Sequence, residues 1–214
     1  MKYKLAIFDL DGTLLETLED LYISVNYALS ENGLPLRTKK EIREFVGNGL
    51  RNLMIRSTPD GSDTDTVDKV HESFKLHYAV HSADNTAPYD GVLPLLNTLK
   101  AQGVKIAVVS NKDDEAVKAL CKKFFGDLID LALGNRPDIK RKPAPDPVFY
   151  AIDHFGAKKE DAIYIGDSEV DIQTANNANL PCITVTWGFR DKDVLLESGA
   201  KIFANTMDEL EKLL

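Results

Sequence analysis

From about residue 87 onward, short apolar runs alternate with amphipathic stretches, and this alternation narrows the possible folds more than any other feature. "VKIAVV" (104–109) precedes a helical pattern through Ala116, Val117, Leu120 and Phe124. "LIDLAL" (128–133) is a weaker strand candidate. "AIYIG" (162–166) precedes "SEVDIQTANNA", and "CITVT" (182–186) precedes "DKDVLLES". Strands apolar on both faces, each followed by an amphipathic helix, predict βαβ units with a parallel sheet covered on both sides. The opening run, residues 4–8, belongs with them. The expected class is α/β, a doubly wound parallel sheet.

Residues 16 to about 84 read differently. Leu18, Leu21, Tyr22, Val25, Ala28 and Leu29 share one helical face, and Thr17 with Asp20 is predicted to cap its start. Gly33 and Pro35 end that helix. Shorter helical patterns follow at 42–45 and 50–55, then a polar loop at 57–65. A longer helix is lined by Val67, Val70, Phe74, Tyr78 and His81. No strand candidate lies in this segment. The expected organisation is a core of residues 1–15 and 85–214, with a helical insertion at 16–84.

Composition sets outer bounds. The 214 residues are 43% hydrophobic and 28% charged, enough for a packed core. A formal net charge of −8 argues against nucleic acid or an anionic membrane as the main partner. "MKYKLAIFDLDG" meets paired acids after four apolar residues, which predicts no secretory leader and a cytoplasmic location. Cys121 and Cys182 sit in apolar patterns and read as small buried hydrophobes. His77 and His81 stand at i, i+4, with no third ligand in a recognisable pattern, and read as packing or surface residues.

The chemistry collects at three strand ends. The first apolar run stops at Asp9 and Asp11, with only Leu10 between them. "VKIAVV" ends in Ser110, Asn111 and Lys112; "AIYIG" ends in Asp167, Ser168 and, four positions on, Asp171. Each cluster alone could be a polar turn or a helix cap. In an open parallel sheet, however, ligands bind outside the carboxyl ends of the strands, so parallel strands bring all three clusters to one edge. The gathered carboxylates form an oxygen-rich, negative site that suits Mg²⁺.

In their order along the chain, these motifs resemble those of the haloacid dehalogenase-like hydrolases, most of which are phosphatases. "DLDGT" is similar to the family's first motif and "VVSN" to its second. "KPAPDP", with Lys142, is similar to the third and "GDSEVD" to the fourth. The resemblance implies a Rossmann-like core with a mobile helical cap inserted after the first motif. It also implies roles. Asp9 is the nucleophile that forms an aspartyl-phosphate, and Asp11 is the general acid, then base. Thr13 and Asn111 lie beside the substrate, while Ser110 and Lys142 hold phosphoryl oxygens. Asp167, Asp9 and the backbone carbonyl of Asp11 bind Mg²⁺, supported by Asp171.

Asp11 argues for phosphoryl transfer over dehalogenation, because a departing halide needs no proton. Within the cap, "FVGNGLRNLM" (45–54) resembles a segment of bacterial phosphoglycolate phosphatases. Gly47, Asn48 and Gly49 there open a helix whose N–H groups could receive a small carboxylate, and Arg51 could pair with it. Trp187 either lines the site entrance or packs in the core. The expected activity is hydrolysis of a small phosphorylated metabolite, phosphoglycolate first, by a monomer or homodimer. A phosphomutase, a pyrophosphatase and a broad sugar-phosphate phosphatase are the alternatives on the same core. A non-catalytic phosphate-ligand sensor is the reading from a different class.

Overall fold

The computed structural model describes residues 2–47 and 49–214. It divides into two compact units, Met1–Leu15 with Pro88–Leu214, and Glu16–Ala87. In chain order the elements begin with β1 (Leu5–Phe8), β2 (Leu15–Glu16), α1 (Leu18–Glu31), α2 (Lys39–Phe45), α3 (Leu50–Ser57), α4 (Thr64–His81) and β3 (Ala87–Pro88). They continue with α5 (Val92–Ala101), β4 (Lys105–Asp113), α6 (Asp114–Phe125), β5 (Leu131–Asn135), α7 (Asp146–Phe155) and β6 (Ala162–Gly166). The chain closes with α8 (Glu169–Ala178), β7 (Cys182–Val185), α9 (Lys192–Glu197), β8 (Ile202–Ala204) and α10 (Met207–Leu213). Among the described residues no helix is long and apolar enough to cross a membrane.

The larger unit holds the parallel sheet that the alternation predicts. Among the described residues its strand order is β5-β4-β1-β6-β7-β8, all pairs parallel. Every residue of β1 and β6 is buried, which is why both read as unbroken apolar runs. Covering Leu5, Ile7 and Phe8 completely is worth roughly 1.5–3 kcal/mol for each side chain relative to exposure. β1 lies at the centre, with β4 on one side and β6 on the other. The chain runs outward from β1 through β4 to β5, then crosses back to β6 on the other side of β1 and continues to β7 and β8. The crevice at the carboxyl end of β1 is therefore the switch point where such sheets bind ligands. Register brings the chemistry level: Phe8 pairs with Val108 and with Ile165, so Asp9, Ser110 and Asp167 emerge within a residue or two of one another.

Two strands differ from expectation. β4 continues beyond Val109 through Ser110, Asn111 and Lys112 to Asp113, with an irregular register against β5 over that stretch. β5 begins at Leu131, three residues later than the apolar run suggests. Cys121 is buried as its apolar pattern predicts, whereas Cys182 is only partly buried; desolvation pushes both thiols up to about 12.

In the Glu16–Ala87 unit α1 packs against α4, and Val25, Ala28 and Leu29 of α1 and Val70, Phe74 and Tyr78 of α4 are buried. His81 is only half-buried and pairs with Asp84 (2.7 Å), so it does not extend the buried face. His77 bonds Ser24 through Nδ1 (2.9 Å) and stacks on Tyr27. The predicted capping of α1 by Thr17 and Asp20 is not what forms. Thr17 has a helical rather than an extended backbone, and its buried hydroxyl has no hydrogen-bond partner among the described residues. The Glu16 carboxylate accepts from Leu18 N–H instead (2.8 Å).

Asp20 serves the far end of the unit. Its carboxylate accepts from Asn85 N–H (3.0 Å), Asn85 Nδ2 (2.9 Å), Thr86 N–H (2.8 Å) and the Thr86 hydroxyl (2.7 Å). Burial pushes the Asp20 carboxyl up, but these donors outweigh it and hold it below the ordinary carboxylate range. A carboxyl depressed in the folded state stabilises above its unfolded pKa, about 4, and that contribution disappears as pH falls through the folded value. Asp20→Asn is therefore expected to destabilise by about 2 kcal/mol at pH 7, with the difference from wild type shrinking below about pH 4. Urea denaturation of both proteins at pH 7 and pH 3 reads this directly.

Candidate active site

The turn after β1 is wound tightly around Leu10. Its carbonyl accepts from the N–H groups of Thr13, Leu14 and Leu15, and Gly12 takes φ +81 to let the chain reverse. Asp9 N–H still pairs with Ile165 (2.9 Å), so the first acid is fixed by the sheet itself. Its Oδ1 accepts from Leu10 N–H (2.7 Å) and from Lys142 Nζ (2.9 Å). Its Oδ2 accepts no hydrogen bond from any described residue. Burial raises the Asp9 carboxyl well above its ordinary range; the Asp171, Asp167 and Asp11 charges add to this, and Lys142 opposes it.

Lys142 is buried, and its ammonium meets Asp9, Asp171 Oδ1 (2.8 Å) and the Tyr164 hydroxyl (3.1 Å). Burial alone would lower this lysine, but the charges of Asp171 and Asp9 overcome it and the group stays firmly cationic. Its loop is tied down from two sides. Asn111 Nδ2 donates to the Lys142 carbonyl (3.1 Å), and Asn177 Nδ2 donates to the Pro143 carbonyl (2.9 Å). Asn111, expected beside the substrate, thus joins the second strand-end cluster to the lysine loop.

Asp171 is saturated with donors. Oδ1 takes Lys142 and the Tyr164 hydroxyl (3.0 Å), while Oδ2 takes Asp167 N–H (3.3 Å), Ser168 N–H (3.1 Å) and the Ser168 hydroxyl (2.6 Å). With Ser168 it also forms the capping box that starts α8. Asp167 Oδ1 accepts from the Thr13 hydroxyl (3.2 Å), and Oδ2 accepts from Phe189 N–H (2.7 Å). Burial, then the Asp171 charge, pushes the Asp167 carboxyl up to about 7, against the pull of Phe189, Arg190 and Thr13. Thr13 therefore supports Asp167.

Asp9, Asp167 and Asp171 each offer an oxygen within 4.8 Å of the others. Three buried carboxylates face one buried ammonium, and two of them are forced up in pKa. That imbalance and the all-oxygen donor set fit a hard divalent cation. The carboxylate of Asp11 lies outside the triad and pairs with Lys112 Nζ (2.9 Å). Ser110 is buried in β4, and its hydroxyl accepts from Lys112 N–H (3.2 Å).

Residues 6–185 match the family model of the haloacid dehalogenase-like hydrolases. The chain belongs to that family. It is 34% identical to a phosphoglycolate phosphatase of Mannheimia succiniciproducens over 88% of each chain. It is 28% identical to one of Nitrosococcus oceani, over 99% of this chain and 96% of that protein. Among solved structures, one from Lactobacillus delbrueckii subsp. bulgaricus, provisionally assigned as a phosphoglycolate phosphatase, superposes with a TM-score of 0.94 at 38% identity. That match covers 100% of this chain and 98% of the other. The protein is accordingly a phosphatase of the haloacid dehalogenase-like hydrolase family.

The segment that resembles phosphoglycolate phosphatases lies in the smaller unit. Gly47 and Gly49 have φ +127 and +80, and α3 starts directly after Gly49. Asn48 lies outside the described residues. Arg51 pairs with Asp68 (2.7 Å), both substantially exposed.

Several supports of this hydrolase's site escaped the sequence reading. Lys112 stood among the strand-end polar residues without a role; its i, i+2 relation to Ser110 on an extended strand is the signal that could have marked it. Tyr164 lay inside an apolar run, and a fully buried tyrosine needs a partner for its hydroxyl. Trp187, which the sequence placed either at the site entrance or in the core, is partly buried and donates from Nε1 to the Thr13 carbonyl (3.1 Å), bracing the turn beside Asp167.

Glycines complete the enclosure. A methyl group at Gly12 or Gly188 would run into the Asp167 carboxylate, and one at Gly166 into that of Asp171. Gly188→Ala is expected to displace Asp167 and weaken divalent-metal binding by about 10–100-fold, the usual cost of disturbing what orients a ligand. A metal titration followed by both activity and thermal shift checks it; unchanged affinity would remove Gly188 from the site.

Proposed function

We propose that this phosphatase hydrolyses a small phosphate monoester with Mg²⁺, through an aspartyl-phosphate on Asp9, and that phosphoglycolate is the favoured substrate. The observation that carries the chemistry is the asymmetry of Asp9. One oxygen is fixed by Lys142 and Leu10 N–H, while the other has no donor among the described residues and can attack. A carboxylate needs no base to become a nucleophile.

Asp9, Asp167 and the Asp11 carbonyl would hold Mg²⁺, with Asp171 orienting them from behind. When bound, the ion supplies charge neutralisation for the phosphoryl oxygens and the buried acids. Oδ2 of Asp9 attacks phosphorus as the bond to the substrate alcohol breaks, and Asp11 gives that leaving oxygen its proton. Water then attacks the aspartyl-phosphate, Asp11 takes the water's proton, and inorganic phosphate departs with Asp9 regenerated. Ser110 and Lys142 flank the phosphoryl group, and the Lys142 charge holds down the repulsion between Asp9 and the incoming phosphate.

The names carried by relatives about 30% identical along nearly the whole chain support phosphoglycolate, as does the glycine-flanked start of α3. Phosphate release is to be measured across phosphoglycolate, sugar phosphates and pyrophosphate, with Mg²⁺ and with EDTA. Preference for phosphoglycolate, falling to background with EDTA and in Asp9→Asn, is expected. Turnover retained by Asp9→Asn would refute covalent catalysis. Broad turnover would refute the substrate, and interconversion of sugar phosphates would mark a mutase.

Arg51 tests the substrate assignment separately. Arg51→Ala is expected to raise KM for phosphoglycolate several-fold more than for p-nitrophenyl phosphate, which has no carboxylate. Equal effects on the two esters would remove Arg51 from recognition.

A further inference from the structure

Two buried lysines divide the acids of the site. Lys142 takes Asp9 and Asp171, whereas Lys112 takes Asp11. The Lys112 side chain is 2% exposed, and its ammonium sits 2.9 Å from Asp11 Oδ1. A pair this well enclosed differs from a solvated surface bridge. The ammonium has been taken out of water, and only a fixed acceptor compensates for that. Asp11 Oδ2 accepts no hydrogen bond from any described residue, and the Asp11 side chain keeps 16% of its surface exposed. One oxygen is clamped and the other is presented.

The clamp is itself anchored. Lys112 lies in β4, its N–H bonds the Ser110 hydroxyl, and β4 pairs with β1, from which Asp11 follows three residues after Phe8. The turn that carries Asp11 thus has its backbone fixed by the Leu10 carbonyl and its side chain fixed from the neighbouring strand.

We infer that Lys112 is the positioning residue for the general acid–base Asp11, and that this contact sets which leaving groups the enzyme can expel. The inference rests on the acid–base role given to Asp11 above. An alkyl phosphate expels a strongly basic alkoxide and needs the proton delivered in line. A dinitrophenyl phosphate expels a stable phenolate and does not. Loss of the clamp therefore separates substrates by leaving group, which general loss of structure would not do.

The experiment compares wild type, Lys112→Met, Lys112→Arg and Asp11→Asn on phosphoglycolate and 2,4-dinitrophenyl phosphate, with Mg²⁺ present. kcat/KM is read because it stops at departure of the leaving group. Lys112→Met is expected to lose about 10²-fold or more on phosphoglycolate, within the usual range for a general acid, and under about 5-fold on the dinitrophenyl ester. Asp11→Asn should show the same split, and Lys112→Arg should recover most of the loss. If Lys112→Met fails to fold, Lys112→Gln, which keeps a donor, is expected to show a smaller split of the same sign.

Equal loss on both esters in the Lys112 variants, with the split retained in Asp11→Asn, would overturn the inference and leave the acid–base role standing. Absence of the split in Asp11→Asn would overturn both, and would trace the failure to Asp11.

Discussion

The Lys142 ammonium is the interaction on which the site depends. It is buried between Asp9 and Asp171, with the Tyr164 hydroxyl on a third side, and these three acceptors match its three donors. Without it, Asp9 and Asp171 would be enclosed carboxylates that have lost the cation both of them contact. Breaking one partner out of a buried pair typically costs about 3–5 kcal/mol, because the charge left behind stays desolvated. Much of the surrounding structure serves to place this group. β1 and β6 supply Asp9 and Tyr164 from adjacent strands, α8 supplies Asp171 from its first turn, and Asn111 and Asn177 hold the loop carbonyls on either side.

Even with Lys142 in place, the charges do not balance. Burial and mutual repulsion raise Asp9 and Asp167, and the glycines at 12, 166 and 188 allow the backbone to close in until no side chain intervenes. Such a cluster opposes folding of the unit that contains it, and the fully buried β1 and β6 core offsets that cost. Repulsion among fixed carboxylates is also what gives a divalent cation its binding energy. A site relaxed enough to be neutral alone would have less to gain from the metal.

The sheet and its chemistry were legible for a common reason: both are written in local pattern. Apolar runs at β1, β4, β6 and β7 announce buried parallel strands, and polar residues where those runs stop announce the crevice. What the sequence hid depends on contacts between residues distant along the chain. Thr17 and Asp20 have the spacing of a capping box, yet the Asp20 carboxylate is claimed by Asn85 and Thr86, 65 and 66 residues away. Thr13 and Asn111 stand inside motif-like segments and turn out to brace Asp167 and the Lys142 loop. Lys112 offered only its i, i+2 relation to Ser110, and Tyr164 no pattern at all, because a lysine beside a polar turn and a tyrosine in an apolar run are both ordinary. Burial is what gives them meaning, and burial at those positions follows from the whole fold.

Asp9 and Asp11 pose the same physical problem and receive the same solution. A carboxylate has two chemically equivalent oxygens and a rotatable side chain, so a reactive carboxylate is poorly defined unless something distinguishes them. In each of these residues a buried lysine from another part of the chain takes Oδ1, Lys142 for Asp9 and Lys112 for Asp11, and leaves Oδ2 clear of described donors. At Asp9 the lysine also neutralises charge that would repel a phosphate dianion. A neutral donor could fix the rotamer but would leave that repulsion, and an exposed lysine would be screened by water and too mobile to choose one oxygen. Burial of both ammonium groups is therefore the condition that singles out one oxygen in each of two acids with a single residue between them.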